Sequence, residues 1–361
     1  MREDECHDRW LQRRIAVPLA GLPLDSDCAT GLNRTAFSYP PLFNMKNPRG
    51  LWLVLVALLA GSLEAAPKKL LVVTVTTGFR HSVIPLSENV LTQLAAQSGG
   101  AFTVEFVRQP AGEPKSPPKP RAGKDGDKTP EFLAALAKWQ EADKAYQVAR
   151  AAWMPAVVEA LRPLAPANLK HYDGVIFAST TGDLPLPDKQ GFLDWIAAGH
   201  AFVGIHAATD TFHGFPAFIA MIGGEFKTHG AQVSVSVLNQ DPTHVAVKHL
   251  PATWTVFDEI YQFKNFERTQ VRGLLGLNQH PNDHTPGDYP VAWAKKFGAG
   301  HVFYTSLGHR DDVWDPSALE KGKRANEASV ATAFQQHVLG GILWSLGLAP
   351  GESTPQAVKL N

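Results

Sequence analysis

The sequence predicts an α/β protein whose parallel sheet is covered by helices on both faces. Three observations lead there. Short apolar runs alternate with helical patterns, most of the runs are apolar throughout as doubly buried strands must be, and each ends in a loop rich in Gly, Thr, His and Asp.

The elements follow in order. Leu70 to Thr76 (LLVVTVT) reads as the first buried strand, and the loop TGFRHS leads into a helix with Ile84, Leu91 and Leu94 on one face, closed by Gly99-Gly100. Phe102 to Val107, Gly174 to Ser179 and Ala201 to His206 are the second, third and fourth strands. Between the last two lies a helix over DKQGFLDWIAAG, with Leu193 and Ile196 inward and Gly199 as its stop. The second half is less regular. Gln232 to Leu238 alternates as a half-exposed strand does, Val291 to Lys296 and His301 to Ser306 form a hairpin around Phe297 to Gly300, and Phe334 to Trp344 is a closing helix. Ligands of such sheets bind beyond the carboxyl ends of the strands, where TGFRH, STTGD and GIHAATD fall.

Residues 110–167 interrupt this alternation as an insertion. Gln109 to Lys128 is rich in Pro, Lys and Gly and reads as an exposed linker. Phe132, Trp139, Tyr146 and Trp153 then recur every seven residues, about two helical turns, and so share one helix face. Packing against the domain accounts for that stripe, and a sugar-stacking or partner-binding face is the alternative.

Composition excludes several functions. The 361 residues carry 34 Lys+Arg against 34 Asp+Glu, which leaves no basic field for nucleic acid. Met45 opens a stretch with Lys46 and Arg49, the apolar run Leu51 to Ala60, and then small residues. This is the layout of a secretory signal peptide over 45–66, and the run is too short for the ~20 residues of a membrane-spanning helix. The expectation is translation from Met45, with residues 1–44 mis-assigned, and export to a periplasm or the cell exterior with no membrane span after cleavage. A domain over 67–349 and a tail over 350–361 complete the division. Both cysteines, Cys6 and Cys28, precede Met45, so the exported chain has no thiol for nucleophilic or metal chemistry. No phosphate loop and no G-x-G-x-x-G after a strand occurs, so no nucleotide cofactor is expected.

What remains is histidine, with thirteen of the fourteen beyond Met45. His206 ends a strand within G-I-H-A-A, and small neighbours are what a tight turn requires when it lifts one side chain above the sheet. Its imidazole suits a general base or a metal ligand, and Asp210 is placed to orient it. His81 ends the first loop beside Arg80, a candidate for holding an anionic or sugar oxygen. Thr180, Thr181 and Asp183 suit polyol recognition. His229 lies four residues after Glu225, and His309 and Arg310 follow the last apolar strand. Glu259 and Tyr261 would share one face of any strand. His206, His81 and Asp210 are therefore the catalytic candidates, and Arg80, Thr180, Thr181, Asp183, Tyr261 and Arg310 the substrate-binding ones. His206, His229, Glu259 and His309 are the candidate ligands of a divalent Zn, Mn, Fe or Ni ion. Trp293 and Trp314 are either sugar-stacking or core residues.

At these residues the sequence resembles the ThuA-like (trehalose-utilisation) family. The matching stretches include TTGFRHSVIP, YDGVIFASTTGDLPL, FVGIHAATDTF, DPTHVAVKHLP, DEIYQFKNF, GHVFYTSLGHRDDVW and FQQHVLGGILWSLG, in order from Leu70 to about Leu348. The resemblance implies a flavodoxin-like fold of the class I glutamine amidotransferase type, with His206 at the position where amidotransferases hold a catalytic Cys. Amidotransferase chemistry does not carry over. The family association implies a disaccharide or its 3-keto derivative as substrate. A 3-keto group acidifies the neighbouring C–H, so a histidine base would serve hydrolysis, elimination or isomerisation. The alternatives are a non-catalytic carbohydrate-binding or accessory domain and a partner-binding role for the aromatic helix.

Overall fold

The computed structural model describes residues 66–123 and 126–357. Residues 1–44, and the export segment 45–66 apart from Ala66, lie outside the described residues, as do the last four residues of the tail.

Among the described residues nine strands form the central sheet. In chain order they are β1 (Lys68–Val73), β2 (Phe102–Val107), β3 (Gly174–Ala178), β4 (Ala201–Ile205), β6 (Val233–Asn239), β7 (Thr253–Asp258), β9 (Arg272–Gln279), β10 (Pro286–Phe297) and β11 (Gly300–Thr305). Two further strands, β5 (Glu225–His229) and β8 (Tyr261–Lys264), pair as a separate antiparallel ribbon. The spatial order is β2-β1-β3-β4-β11-β10-β9-β6-β7. The first five strands of that order run parallel. The remaining pairings are antiparallel, starting with the expected β10–β11 hairpin. The sheet is thus mixed. The parallel order expected from the alternating strands holds for β1 to β4 and β11, and the expected β10–β11 hairpin turns the sheet antiparallel, as β9, β6 and β7 continue it.

Side chains alternate across the parallel half as a period of two requires. Leu70, Val72, Ile176, Val203 and Phe303 face one core, and Leu71, Val73, Phe177, Phe202 and Tyr304 face the other. Helices α1 (Ile84–Gln97) and α7 (Ala328–Ser345) cover the first face. The other face is covered by α2 (Pro130–Ala160), α4 (Lys189–Ala197) and α5 (Pro216–Ile222). Two short helices, α3 (Pro166–Leu169) and α6 (Asp311–Trp314), lie in connections. Ile84, Leu91, Leu94, Leu193 and Ile196 are all buried, as their spacing predicts.

The insertion is a single long helix folded back on its own linker. Thr129 caps α2, its side chain accepting the Phe132 N–H, and Pro130 starts the first turn. The aromatic stripe faces the preceding segment: Trp139 Nε1 donates to the Pro117 carbonyl at 3.1 Å and Trp153 Nε1 to that of Ala111 at 3.2 Å. Packing therefore accounts for the seven-residue spacing. Trp293 and Trp314 are likewise fully buried core residues.

Helix α7 carries a buried histidine whose titration bears on stability. His337 Nδ1 donates to the Ala246 carbonyl at 2.9 Å, while Nε2 is buried without a partner. Burial pushes this ring down to about 3, and the nearby His244 down to about 4. Both are neutral when folded and take up a proton near pH 6.5 when unfolded. Stability is therefore fully present above that pH and is lost as the pH falls toward the folded values. Changing His337→Gln, which keeps a donor for Ala246, is expected to flatten the fall by about 1.4 kcal/mol per pH unit between pH 6 and 4. Urea unfolding at several pH values measures this, and an unchanged slope would contradict it.

Candidate functional site

Three loops at the carboxyl ends of the parallel strands and the β5–β8 ribbon meet over the sheet. His206 follows β4 directly, with φ at +51°, a left-handed conformation that non-glycine residues adopt at a cost. A side chain at Gly204 would meet the Tyr304 ring at 2.9 Å, so the small residues around His206 answer real crowding. The short 3₁₀ turn His206–Asp210 then carries the chain away and leaves the imidazole above the strand ends.

Hydrogen bonds settle its tautomer. His206 Nδ1 donates to the Ser306 carbonyl at 2.8 Å, so in the neutral ring Nε2 keeps the lone pair. That nitrogen accepts from the Tyr261 hydroxyl at 3.2 Å and lies 3.3 Å from His309 Nδ1. Burial, reinforced by the neighbouring His81 and His309 rings, holds His206 well below the ordinary imidazole range. Burial likewise pushes His81 down to about 4. The His81 ring stands edge-on to His206, with centroids 4.7 Å apart, and its Nδ1 is buried without a partner. Burial also opposes protonation of His309, but Glu259, with Oε2 at 3.3 Å from Nδ1, outweighs it and the pKa rises.

Glu259 and Tyr261 reach the cluster by a route other than the one their spacing suggests. They do not share a strand: β7 ends at Asp258 and β8 begins at Tyr261. Asp258 is fully buried and accepts N–H bonds from Gly308 at 2.7 Å and Glu259 at 2.9 Å, tying the Glu259 and His309 loops together. Burial pushes its carboxyl up to about 6. The ribbon sets His229 opposite Tyr261. His229 is half-exposed, donates from Nδ1 to the Gly230 carbonyl at 2.8 Å and lies 3.1 Å from Glu259 Oε1.

The structure thus gathers His81, His206, His229, Glu259, Tyr261 and His309 from the sequence candidates. Six others face elsewhere. Asp210 bonds His213 Nε2 at 2.6 Å, not His206. Arg80 donates to the Thr74 carbonyl at 2.9 Å, and the Thr180 hydroxyl meets that of Thr211 at 2.8 Å. Thr181 donates to the Phe79 carbonyl at 2.8 Å. Asp183 pairs with Lys189 on the surface. Arg310 is buried against Asp312 and donates to Gln232 at 2.7 Å. Two residues escaped notice from sequence: Asp258 as the tie between loops, and His213, held between Asp210 and Glu225 at 2.6 Å each. For Asp258 the available signal was its place beside Glu259; His213 carries no motif.

His81, His206, Glu259 and His309 each offer a ligand atom, all within 4.8 Å of one another. His206 Nε2 to His309 Nδ1 is 3.3 Å, His309 Nδ1 to Glu259 Oε2 is 3.3 Å and His206 Nε2 to Glu259 Oε2 is 3.9 Å. Ligands at 2.0–2.1 Å in a tetrahedron stand about 3.3 Å apart. Two imidazoles that burial keeps neutral, His81 with its bare buried nitrogen and His206, together with His309 and one carboxylate, therefore fit a first-row divalent ion in both chemistry and spacing.

The fold is of the mixed α/β class, a sheet with helices on both faces and histidines over its strand ends. The chain belongs to the trehalose-utilisation (ThuA) family, whose match covers residues 122–345. Among solved structures it is similar to a ThuA-like protein of Parabacteroides merdae, at 19% identity and a TM-score of 0.49 over 78% of this chain and 90% of that one. A ThuA-like protein of Bacteroides uniformis is similar at 17% identity and a TM-score of 0.47, over 78% and 92%. Comparison with curated proteins returns no match. Among the described residues no helix is long and apolar enough to cross a membrane.

Proposed function

We propose that the protein is an exported, metal-dependent enzyme acting on a disaccharide or its 3-keto derivative. The observation that carries this reading is the convergence of three imidazoles and Glu259 at ligand spacing over the strand ends. The order β2-β1-β3-β4 followed by β11 supports reading the parallel half as flavodoxin-like, as in class I glutamine amidotransferases, with His206 at the elbow position.

His81, His206, Glu259 and His309 would hold the ion, and His229 would stand beside it. When bound, a divalent ion supplies Lewis acidity toward a ketone or hydroxyl oxygen. A ketone at C3 acidifies the C2–H bond; elimination would pass that proton to a base, form the C1–C2 double bond, break the bond from C1 to the glycosidic oxygen and return the proton to that departing oxygen. His229 is suited to carry the proton, since Nδ1 is committed to Gly230 and Nε2 keeps its lone pair. Tyr261 stays protonated, because burial and then the charge of Glu259 hold its pKa well above the ordinary value, and its hydroxyl, which donates to His206 Nε2 here, would be free to donate to a sugar oxygen once that nitrogen held an ion.

The test is titration of the full chain with Zn²⁺, Mn²⁺, Fe²⁺ and Ni²⁺, with turnover of 3-keto-trehalose followed before and after chelation. Stoichiometric binding of one of these ions and chelator-sensitive turnover are expected. Unchanged turnover after complete metal removal would overturn the metal reading. Sugar binding with no conversion of any sugar would favour an accessory, carbohydrate-binding role.

A further inference from the structure

The loop between β1 and α1 sets one more side chain at the mouth of the cluster. Phe79 is 66% exposed, yet its ring packs edge-to-face with that of His81, centroids 4.8 Å apart. His81 in turn lies 4.7 Å from His206 and 5.4 Å from His309, centroid to centroid. Of the other aromatic rings near the site, Tyr261, Tyr304 and Trp314 are buried, and Phe226, 6.1 Å from the His229 ring centroid to centroid, is partly buried.

This exposure does not come from a loose loop. The Thr77 N–H donates to the Thr181 carbonyl at 2.9 Å and the Thr181 hydroxyl donates back to the Phe79 carbonyl at 2.8 Å. Arg150, from the inserted helix α2, donates to the Thr77 carbonyl at 2.8 Å. Arg80 closes the turn through the Thr74 carbonyl at 2.9 Å. The backbone is tied on both sides of a ring left in water, which forgoes the stabilisation that burial would bring. A flat apolar surface beside a polar cluster complements a ligand with one apolar face and a rim of oxygens. A pyranose has that form, whereas an inorganic anion or a small acid does not.

We propose that Phe79 is a stacking platform for the C–H face of the sugar ring whose oxygens reach the histidine cluster, and so a specificity-determining residue. This rests on reading the cluster as a sugar site. It also gives the insertion a task, because Arg150 fixes the loop that presents the ring.

The experiment compares the full chain with Phe79→Ala and Phe79→Trp, titrating each with trehalose and separately with Zn²⁺. Loss of the ring is expected to weaken trehalose binding about tenfold, and Phe79→Trp to restore it. Zinc affinity should stay within about twofold across the three, since Phe79 offers no ligand atom. With 3-keto-trehalose, KM should rise by the same factor while kcat holds. Equal sugar affinity in wild type and Phe79→Ala overturns the proposal. So does a parallel loss of zinc and sugar, which would make the ring a mere support for His81. A wild-type chain that binds zinc but neither sugar overturns the platform and leaves the metal site standing. One that binds neither zinc nor sugar overturns both.

Discussion

Replacing His206 with alanine is expected to weaken Zn²⁺ binding by more than a hundredfold and to abolish turnover of 3-keto-trehalose. Loss of an outer partner of a metal ligand commonly weakens binding by about 10- to 100-fold, so loss of a ligand should exceed that. His206 contributes an unprotonated Nε2 at the centre of the cluster, 3.3 Å from His309 Nδ1 and 3.9 Å from Glu259 Oε2. The substitution leaves the buried Ser306 carbonyl without its donor, at a cost of about 1–3 kcal/mol. It also leaves a Cβ in the left-handed region. His206→Gly removes that second penalty and should be the more stable of the two by about 1 kcal/mol. Isothermal titration with zinc, together with urea unfolding of both variants, separates the effects. Zinc binding lost in two folded variants supports a ligand role. Zinc retained with turnover lost makes the ring a base instead, and wild-type behaviour in both assays would remove His206 from the chemistry.

The parts of this molecule legible in its sequence are those governed by local pattern. β1, β2, β3 and β4 are short apolar runs between helical patterns, and their ends were readable to within a few residues because Gly, Thr and Asp punctuate them. His206 was legible for a steric reason: only small residues tolerate the turn that the crowding around Gly204 imposes. β5, β7, β8 and β9 were not identified as strands. β5 and β8 are short, partly exposed and paired with each other across a long stretch of chain; β7 and β9 do carry local patterns, an alternating TWTVFD and the buried run Gly273–Leu277, but nothing local joins β9 to β6. The division of polar residues between cluster and scaffold was hidden for the same reason. Arg310 and Asp210 sit in loops as suggestive as that of His309; each turns to a close sequence neighbour, Asp312 and His213, and the distant Gln232 and Glu225 hold those pairs in place. Sequence places a side chain at a strand end; which way it faces depends on neighbours that the chain supplies from elsewhere.

Trp314→Ala is expected to lower stability by about 3–5 kcal/mol and to impair zinc binding from outside the cluster. The ring is wholly buried, meets Phe334 edge-on with centroids 5.0 Å apart, and donates from Nε1 to the Gly308 carbonyl at 2.8 Å. Gly308 has φ at +113° and precedes His309, and a Cβ there would come within 3.1 Å of Trp314 Nε1 and 3.2 Å of Phe334. The loop carrying His309 is therefore clamped between two rings on one side and the buried Asp258 carboxylate, bound to the Gly308 N–H, on the other. Trp314→Phe keeps most of the ring volume and loses the hydrogen bond, so it isolates the clamp from the cavity. The expected result is a modest stability loss of about 1–2 kcal/mol for Trp314→Phe, with zinc affinity reduced less than by His309→Ala. If Trp314→Ala unfolds the chain at room temperature, Trp314→Phe still decides the matter. Zinc affinity equal to wild type in that variant would show that the indole N–H does not hold His309 in place, and that the loop is fixed by Asp258 and packing alone.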